Sequence, residues 1–391
     1  MEVFWTLGGS SDGPHPWNAD GRWRSDIRRL AQVAMAIDRL PFSGALLAIG
    51  VPGTYDPFTV AASVAPLTER MRFLIAVYPG LITPTQLALM SLSLDQLSAG
   101  RLMLNVVGSN PVTMAAHGVH LEKADRYEML DDYWRVFRAL YAGEAVPESR
   151  FFPVRDPETF LGLEPVQRPC PPLWGASGSP EGLGRVISLV DTYLSHAGTP
   201  QELAQRTGAA RAVAAEQGRP TPSFGVSLGV LVRETEEEAW AEAERKLGHI
   251  SPETIAGLRG YQAAQAAGRD AADEREGRVM DAIASGRRPA ARDLEFHPNM
   301  WTGPAERVGI DVRRQLPLPG TMLIGSAEQV AQRMKEIERL AGIERFILWA
   351  PPTLEEAYRV ADLLLPLLDL DAQLAPPVPS LGAARPVEVS A

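Results

Sequence analysis

Eight short apolar runs, each separated from the next by a stretch with helical spacing, constrain this chain more than any other feature. They are EVFWTL (2–7), GALLAI (44–49), RFLIAV (72–77), LMLNVV (102–107), PLWGA (172–176), VDTYLSH (190–196), FGVSLGVLV (224–232) and RFILWA (345–350). LMLNVV shows no clean in-out alternation, as expected of a strand covered on both faces in a parallel sheet. Apolar residues recur at helical intervals over 25–39, 57–67, 84–98, 125–142, 181–188, 200–217, 235–247, 327–341 and 354–368. Strand and helix alternating in this way predict an α/β fold, a (β/α)8 TIM barrel, with a doubly wound open sheet as the alternative. The 391 residues suit one barrel plus insertions, and 45% apolar content supplies a core.

Sites in such barrels lie at the C-terminal ends of the strands. LMLNVV carries Asn105 there and runs on into Gly108, Ser109 and Asn110, an amide and a small polar tip; by itself Asn105 reads as a satisfied core amide. In LWGASGSPEGLG (173–184) a strand ends at Ala176, and Ser177, Gly178 and Ser179 turn into a helix with Ser179 as N-cap and Pro180 first. Such an N-terminus attracts an anion through its unpaired N–H groups and dipole, although an ordinary capped helix looks the same and Glu181 opposes an anion unless it turns away. GVSLG (225–229) matches a nucleophile elbow at Ser227, with His249 and His297 downstream. Phe224, Val226, Leu228, Val230 and Val232 alternate straight through it, so the motif belongs inside a strand and a serine hydrolase is the weaker rival. No HExxH, GxxxxGK[ST] or GxGxxG occurs, and the six histidines show no paired metal spacing, so no metal is expected.

A net charge of −10 is the wrong sign for a nucleic-acid partner. The single Cys170 fits a reducing compartment, and no run of eighteen apolar residues appears, so a cytoplasmic protein with no membrane partner is expected. Two segments break the repeat: 143–170, and an excursion over 248–320 between the seventh strand and the helix before the eighth. Within it, 297–320 carries Trp301, Arg307, Arg313 and Arg314 among Pro and Gly, and reads as a hinged lid; an oligomer contact or a tether is the alternative. Residues 1–373 are expected to form one domain and 374–391 a flexible tail.

The blocks TPTQLALMSLSLDQLSAGRLMLNVVGSNP (83–111), DRYE (125–128), VRETEEEAW (232–240), HPNMW (297–301) and LEEAYRVADLLLPLL (354–368) resemble the luciferase-like flavin-dependent monooxygenases, in their alkanesulfonate monooxygenase branch. The resemblance implies a two-component enzyme. A separate NAD(P)H-dependent flavin reductase supplies reduced FMN (FMNH2), which reacts with O2 to a flavin C4a-(hydro)peroxide that oxygenates an organic small-molecule substrate. A homodimer or homotetramer is expected. The resemblance places Ala76 and Val77 where relatives carry a strained peptide under the flavin. It also sets Asn105, Val107, Gly108 and Ser109 along the isoalloxazine ring, Tyr127 near the phosphate, and Ser177, Gly178 and Ser179 in the phosphate loop.

The substrate side departs from that pattern. Ser10, Thr54, Ser227, Gly229, Pro351 and Thr353 stand where the sulfonatases carry histidine, cysteine, arginine or tyrosine, and His196 where they carry tryptophan. Arg313 or Arg314 is the candidate lid arginine. A buried sulfonate needs paired cations, so a larger, more apolar substrate such as a secondary metabolite is expected. His196 and His117 are the acid/base candidates, and Ser10, Thr54, Ser227, Trp349 and Arg314 line the remaining site. An alkanesulfonate monooxygenase proper, a catalytically silent flavin or metabolite binder and a deazaflavin enzyme are the alternatives.

Overall fold

The computed structural model describes residues 1–9, 11–15, 21–49, 54–107, 111–155, 162–177, 179–265, 269–310 and 320–371. All eight runs are strands. They are β1 (Glu2–Leu7), β2 (Gly44–Leu47), β3 (Arg72–Val77), β4 (Leu102–Val106), β5 (Leu173–Gly175), β6 (Thr192–Ser195), β7 (Ser223–Arg233) and, last in the chain, Ile343–Trp349. Each pairs in parallel with the next, and the last closes the ring by pairing with both β7 and β1. The open-sheet alternative is thereby excluded.

Beside a two-residue hairpin of Ser11–Asp12 with Trp23–Arg24, three further strands lie between β7 and the last: β8 (Glu295–His297), β9 (Met300–Trp301) and β10 (Met322–Ser326), and Ile343–Trp349 is labelled β11. The helices are α1 (Ile27–Arg39), α2 (Pro57–Val64), α3 (Pro84–Leu97), α4 (Pro111–Ala116), α5 (Lys123–Ala142), α6 (Pro180–Leu189), α7 (Pro200–Glu216), α8 (Glu236–Gly248), α9 (Pro252–Gln265), α10 (Glu274–Ala284), α11 (Pro304–Arg307), α12 (Ala327–Ala341) and α13 (Thr353–Leu363). Several of their starts follow from short polar caps: Thr83 accepts from the Gln86 amide with Pro84 first in α3, and Thr199, Thr235 and Ser326 each close a reciprocal capping box.

Strand alternation sorts the barrel residues into two faces. Val3, Trp5, Phe73, Ile75, Leu104, Val226 and Leu348 point outward and join one large core with the helices. Phe4, Leu74, Met103, Trp174, Leu194 and Ile347 point inward and fill the lumen, with Leu46 and Ala176 against them. Below that layer, at the N-terminal ends of the strands, Glu2 is paired with both Arg72 and Arg345. Arg345 also donates to Thr192 Oγ1 at 2.6 Å, and the two guanidiniums lie over Phe4 and Trp174 at 5.0 and 5.5 Å from the ring centroids. The lumen therefore has an ionic floor capped by an apolar layer.

Strand β7 is long and forks. Its first half pairs with β11 as far as Gly229–Trp349, and from Gly229 onward it pairs with β10 instead. β9 adds antiparallel to β10, and β8 to β9. Around this side sheet α8, α9 and α10 build a satellite core containing Trp240, Ile255, Leu258, Val279, Ile283, Trp301, Val308 and Ile310.

This corrects the lid reading over 297–310. Met300 is fully buried, Trp301 is 2% exposed with its indole N–H on the Ala291 carbonyl at 3.1 Å, and Arg307 is held by Asp273 and Glu276. The Pro and Gly residues there shape turns of a packed unit. Residues 311–319, with Arg313 and Arg314, and the tail from 372 lie outside the described residues.

Candidate active site

One step up each strand from the lumen layer, the inward positions are Thr6, Ala48, Ala76, Asn105, Ala176, His196, Ser227 and Trp349. The layer below is buried except at Leu46, which is half-buried, whereas in this ring Ala76 alone is fully buried and His196 and Ser227 are exposed. A serine exposed in mid-strand means that the lumen opens to solvent at its level. The C-terminal end of the barrel is a cup, as the position of sites in this architecture requires.

The ring has two unlike arcs. On β2 to β5 stand Ala48, Ala76, Asn105 and Ala176: three methyl groups and one amide. Ala76 and Asn105 are register partners, and the Val107 N–H extends their ladder to the Val77 carbonyl at 2.9 Å. The half-buried Asn105 amide has no hydrogen-bond partner among the described residues. It is not the satisfied core amide that its strand alone suggests. An amide in that state can hydrogen-bond water or the polar edge of a bound molecule.

The opposite arc carries His196, Ser227, Trp349 and Thr6. Arg206 fixes the turn after His196 by donating to the carbonyls of His196 at 2.7 Å and Ala197 at 2.9 Å. A Cβ on Gly198 would come within 2.8 Å of Glu202 Oε2 and 2.9 Å of Arg206 Nη1, so glycine is needed for this clamp. Trp349 leans across Gly229 toward Met322. A Cβ at Gly229 would meet Met322 Cγ at 2.5 Å and Trp349 at 2.9 Å, and the indole closes the wall where β7 forks. Apart from the His196 imidazole, no described side chain of the ring is ionisable.

The helix cap expected at Ser179 is present. Ser179 Oγ accepts from the Gly182 N–H at 3.1 Å, and Ser177 Oγ accepts from the Ser179 N–H at 3.3 Å while donating to the Ser179 carbonyl at 3.1 Å. A Cβ at Gly182 would sit 2.3 Å from Ser177 Oγ, so this glycine lets the turn fold over the start of α6. Tyr127, on the first turns of the neighbouring α5, lies under the Arg185 guanidinium, 5.0 Å from its ring centroid. The turn follows β5 at the end of the small-residue arc, and the tyrosine is tied to the same helix, α6, through Arg185.

Of the sequence-predicted residues, Ala76, Asn105, His196, Ser227 and Trp349 hold inward positions of the ring, Val107 follows Asn105 at the end of β4, Ser177 and Ser179 form the turn after β5, and Tyr127 lies on α5 against Arg185. Thr54 sits on the rim, bridged to Gly9. The Val77 side chain turns outward into the helix-facing core. Neither Ala76 nor Val77 has a left-handed φ. His117 is exposed in the turn after α4. Ser10, Gly108, Ser109, Gly178 and Arg314 lie outside the described residues. The serine-hydrolase rival loses its geometry, because GVSLG lies wholly within β7 and makes no strand-to-helix turn. Thr6, Ala48, Ala176, Gly182 and Arg206 were not singled out from the sequence; only the S-x-S-P-x-G spacing around Gly182 carried a usable signal. Among the described residues no cluster could hold a metal, and no helix is long and apolar enough to cross a membrane.

The family model for luciferase-like monooxygenases matches residues 2–344. The chain belongs to the luciferase-like monooxygenase family. Solved structures similar to this family member include the EDTA monooxygenase of Chelativorans sp. BNC1, with 19% identity over 94% of this chain and 93% of that one and a TM-score of 0.68. The long-chain alkane monooxygenase is 18% identical over 94% and 90%, also with a TM-score of 0.68. The coenzyme F420-dependent tetrahydromethanopterin reductase of Methanopyrus kandleri is 15% identical over 94% and 99%, with a TM-score of 0.63. At these identities the structures establish a shared barrel.

Proposed function

We propose that this luciferase-like family member is a two-component monooxygenase, an oxidoreductase that takes FMNH2 from a separate flavin reductase and uses O2 to oxygenate a neutral, largely apolar organic molecule. The observation that carries the reading is the division of the cup into two arcs. Three alanines and the Asn105 amide, which has no hydrogen-bond partner among the described residues, make a smooth half that suits a flat heteroaromatic ring with polar edges, and the turn that carries Ser177 and Ser179 at the start of α6 stands beside it for a phosphate. The flavin, when bound, supplies the oxygen activation.

The chain's own residues position and shield. Asn105 offers both a donor and an acceptor to the ring edge, the Ser turn orients the phosphate end, and the buried lumen layer keeps water from below. His196, whose backbone carbonyl accepts from Arg206, presents the imidazole best placed to exchange a proton with the substrate. Ser227, Thr6 and Trp349 shape the remaining space. A sulfonate in that half would find no paired cation among the described residues. We therefore read the resemblance to the alkanesulfonate branch as one of scaffold and propose a different substrate.

Anaerobic titration with FMNH2, followed by oxygen mixing and measurement of O2 uptake and hydrogen peroxide, tests this. The expected outcome is saturable binding of FMNH2 and, with an accepted substrate, uptake that exceeds peroxide release. Absence of FMNH2 binding sinks the proposal. Binding of a deazaflavin in its place moves the chemistry to hydride transfer on the same scaffold.

A further inference from the structure

Arg185 projects from the second turn of α6, the helix whose start carries the Ser177–Ser179 turn, toward the first turns of α5. Its guanidinium stacks 5.0 Å from the Tyr127 ring centroid, its Nη1 lies 3.5 Å from the Tyr127 carbonyl, and it is paired with Asp131, one turn further along the same face of α5. From the other side it borders a cavity of about 690 Å³ between α5 and α6, outside the barrel. The side chains of Arg185 and Asp131 are 33% and 54% exposed, so this ion pair by itself holds the helices together weakly. The stacking on Tyr127 is the contact with direction: it fixes the phenol relative to the helix start across which a phosphate would lie.

We infer that Arg185 is a positioning residue for the phosphate end of the cofactor, acting through Tyr127 and so setting the preference for phosphorylated over unphosphorylated flavin. The inference rests on the proposed flavin site and goes beyond it, because Arg185 lies on no stretch that carries the family resemblance. Its added positive charge beside an anion site works in the same direction as the stacking. Asp131 tempers that charge by pairing with the guanidinium.

The test is equilibrium binding of FMN and riboflavin to the purified full chain, for wild type, Arg185→Met, Arg185→Lys, Asp131→Asn, Tyr127→Leu and the Arg185→Met/Tyr127→Leu pair. Wild type is expected to prefer FMN. Arg185→Met is expected to weaken FMN binding by about fivefold, the scale of one cation–π contact, and riboflavin binding by less than twofold. Arg185→Lys should fall between, since an ammonium lacks the planar stacking face. Asp131→Asn should keep or raise the FMN preference. In the paired variant the second substitution should add little for FMN, which marks a shared route.

Equal loss of both flavins in Arg185→Met, or an Asp131→Asn variant that behaves like it, makes Arg185 a plain helix tether and overturns the inference while the flavin site stands. A wild type with no preference for FMN overturns the phosphate site itself, and the inference with it. If Arg185→Met fails to fold, Arg185→Lys and Asp131→Asn still decide between these outcomes.

Discussion

The two arcs of the cup assign different consequences to single substitutions. Ser179→Ala removes the acceptor of the Gly182 N–H at the start of α6 and should cost about 1 kcal/mol of stability, read as a lower Tm, and weaken FMN more than riboflavin. If both flavins bind as before, the turn is only a helix cap. Ser227→Phe fills the opposite half from an exposed, inward position. It should leave FMN binding within about twofold, on the ordinary scale of a surface change, while abolishing substrate-dependent O2 uptake. Loss of FMN binding in that variant would put the cofactor on the wrong arc. Asn105 was readable as unusual because an amide stands out in an apolar run. Ala48 and Ala176 were not, since their contribution is the room they leave, and an alanine at the end of an apolar strand carries no motif.

The excursion after β7 shows where periodicity stops being informative. The eight barrel strands are legible because each is an apolar run bounded by turns. β10 was missed because MLIGS is five residues pressed between a loop and the cap of α12, and β8 and β9 are too short to show any period. The sparse apolar residues of α9 and α10, such as Ile255 and Val279, converge only once the side sheet is in place. Composition therefore suggested a hinged lid where the chain builds a core. Deleting 297–310 should strip β9 from β10 and remove Trp301, Val308 and Ile310 from the satellite core, each such loss costing about 2–5 kcal/mol. The expected result is a sharp fall in Tm or insoluble protein. A deletion variant with unchanged Tm and normal FMN binding would restore the lid.

At the scale of the molecule, the ionic floor links barrel stability to acidity. Burial raises the Glu2 pKa, but the Arg72 charge and the hydrogen bonds from Arg345 and Arg72 outweigh it, and the carboxyl ends below its ordinary value of 4.5. A depressed carboxylate stabilises the fold fully above that value, and the contribution is lost as the pH falls through the folded pKa. Wild-type Tm should therefore drop steeply below about pH 4. Glu2→Gln should cost roughly 3 kcal/mol of stability at neutral pH, read as a lower Tm, because two guanidiniums are left without their anion, and should flatten the acid slope. An unchanged slope would place the acid-sensitive group elsewhere. The fork at Gly229 has a different kind of consequence. The excursion grows from the part of β7 that has already left the barrel ladder, while the alanine arc lies on the far wall, on β2 to β5. Lineages descended from such a chain are free to vary that outgrowth so long as its own core stays packed, and with it the neighbourhood of Trp349, without disturbing the wall proposed to receive the ring. Inheritance can then hold one half of the cup constant while reshaping the other.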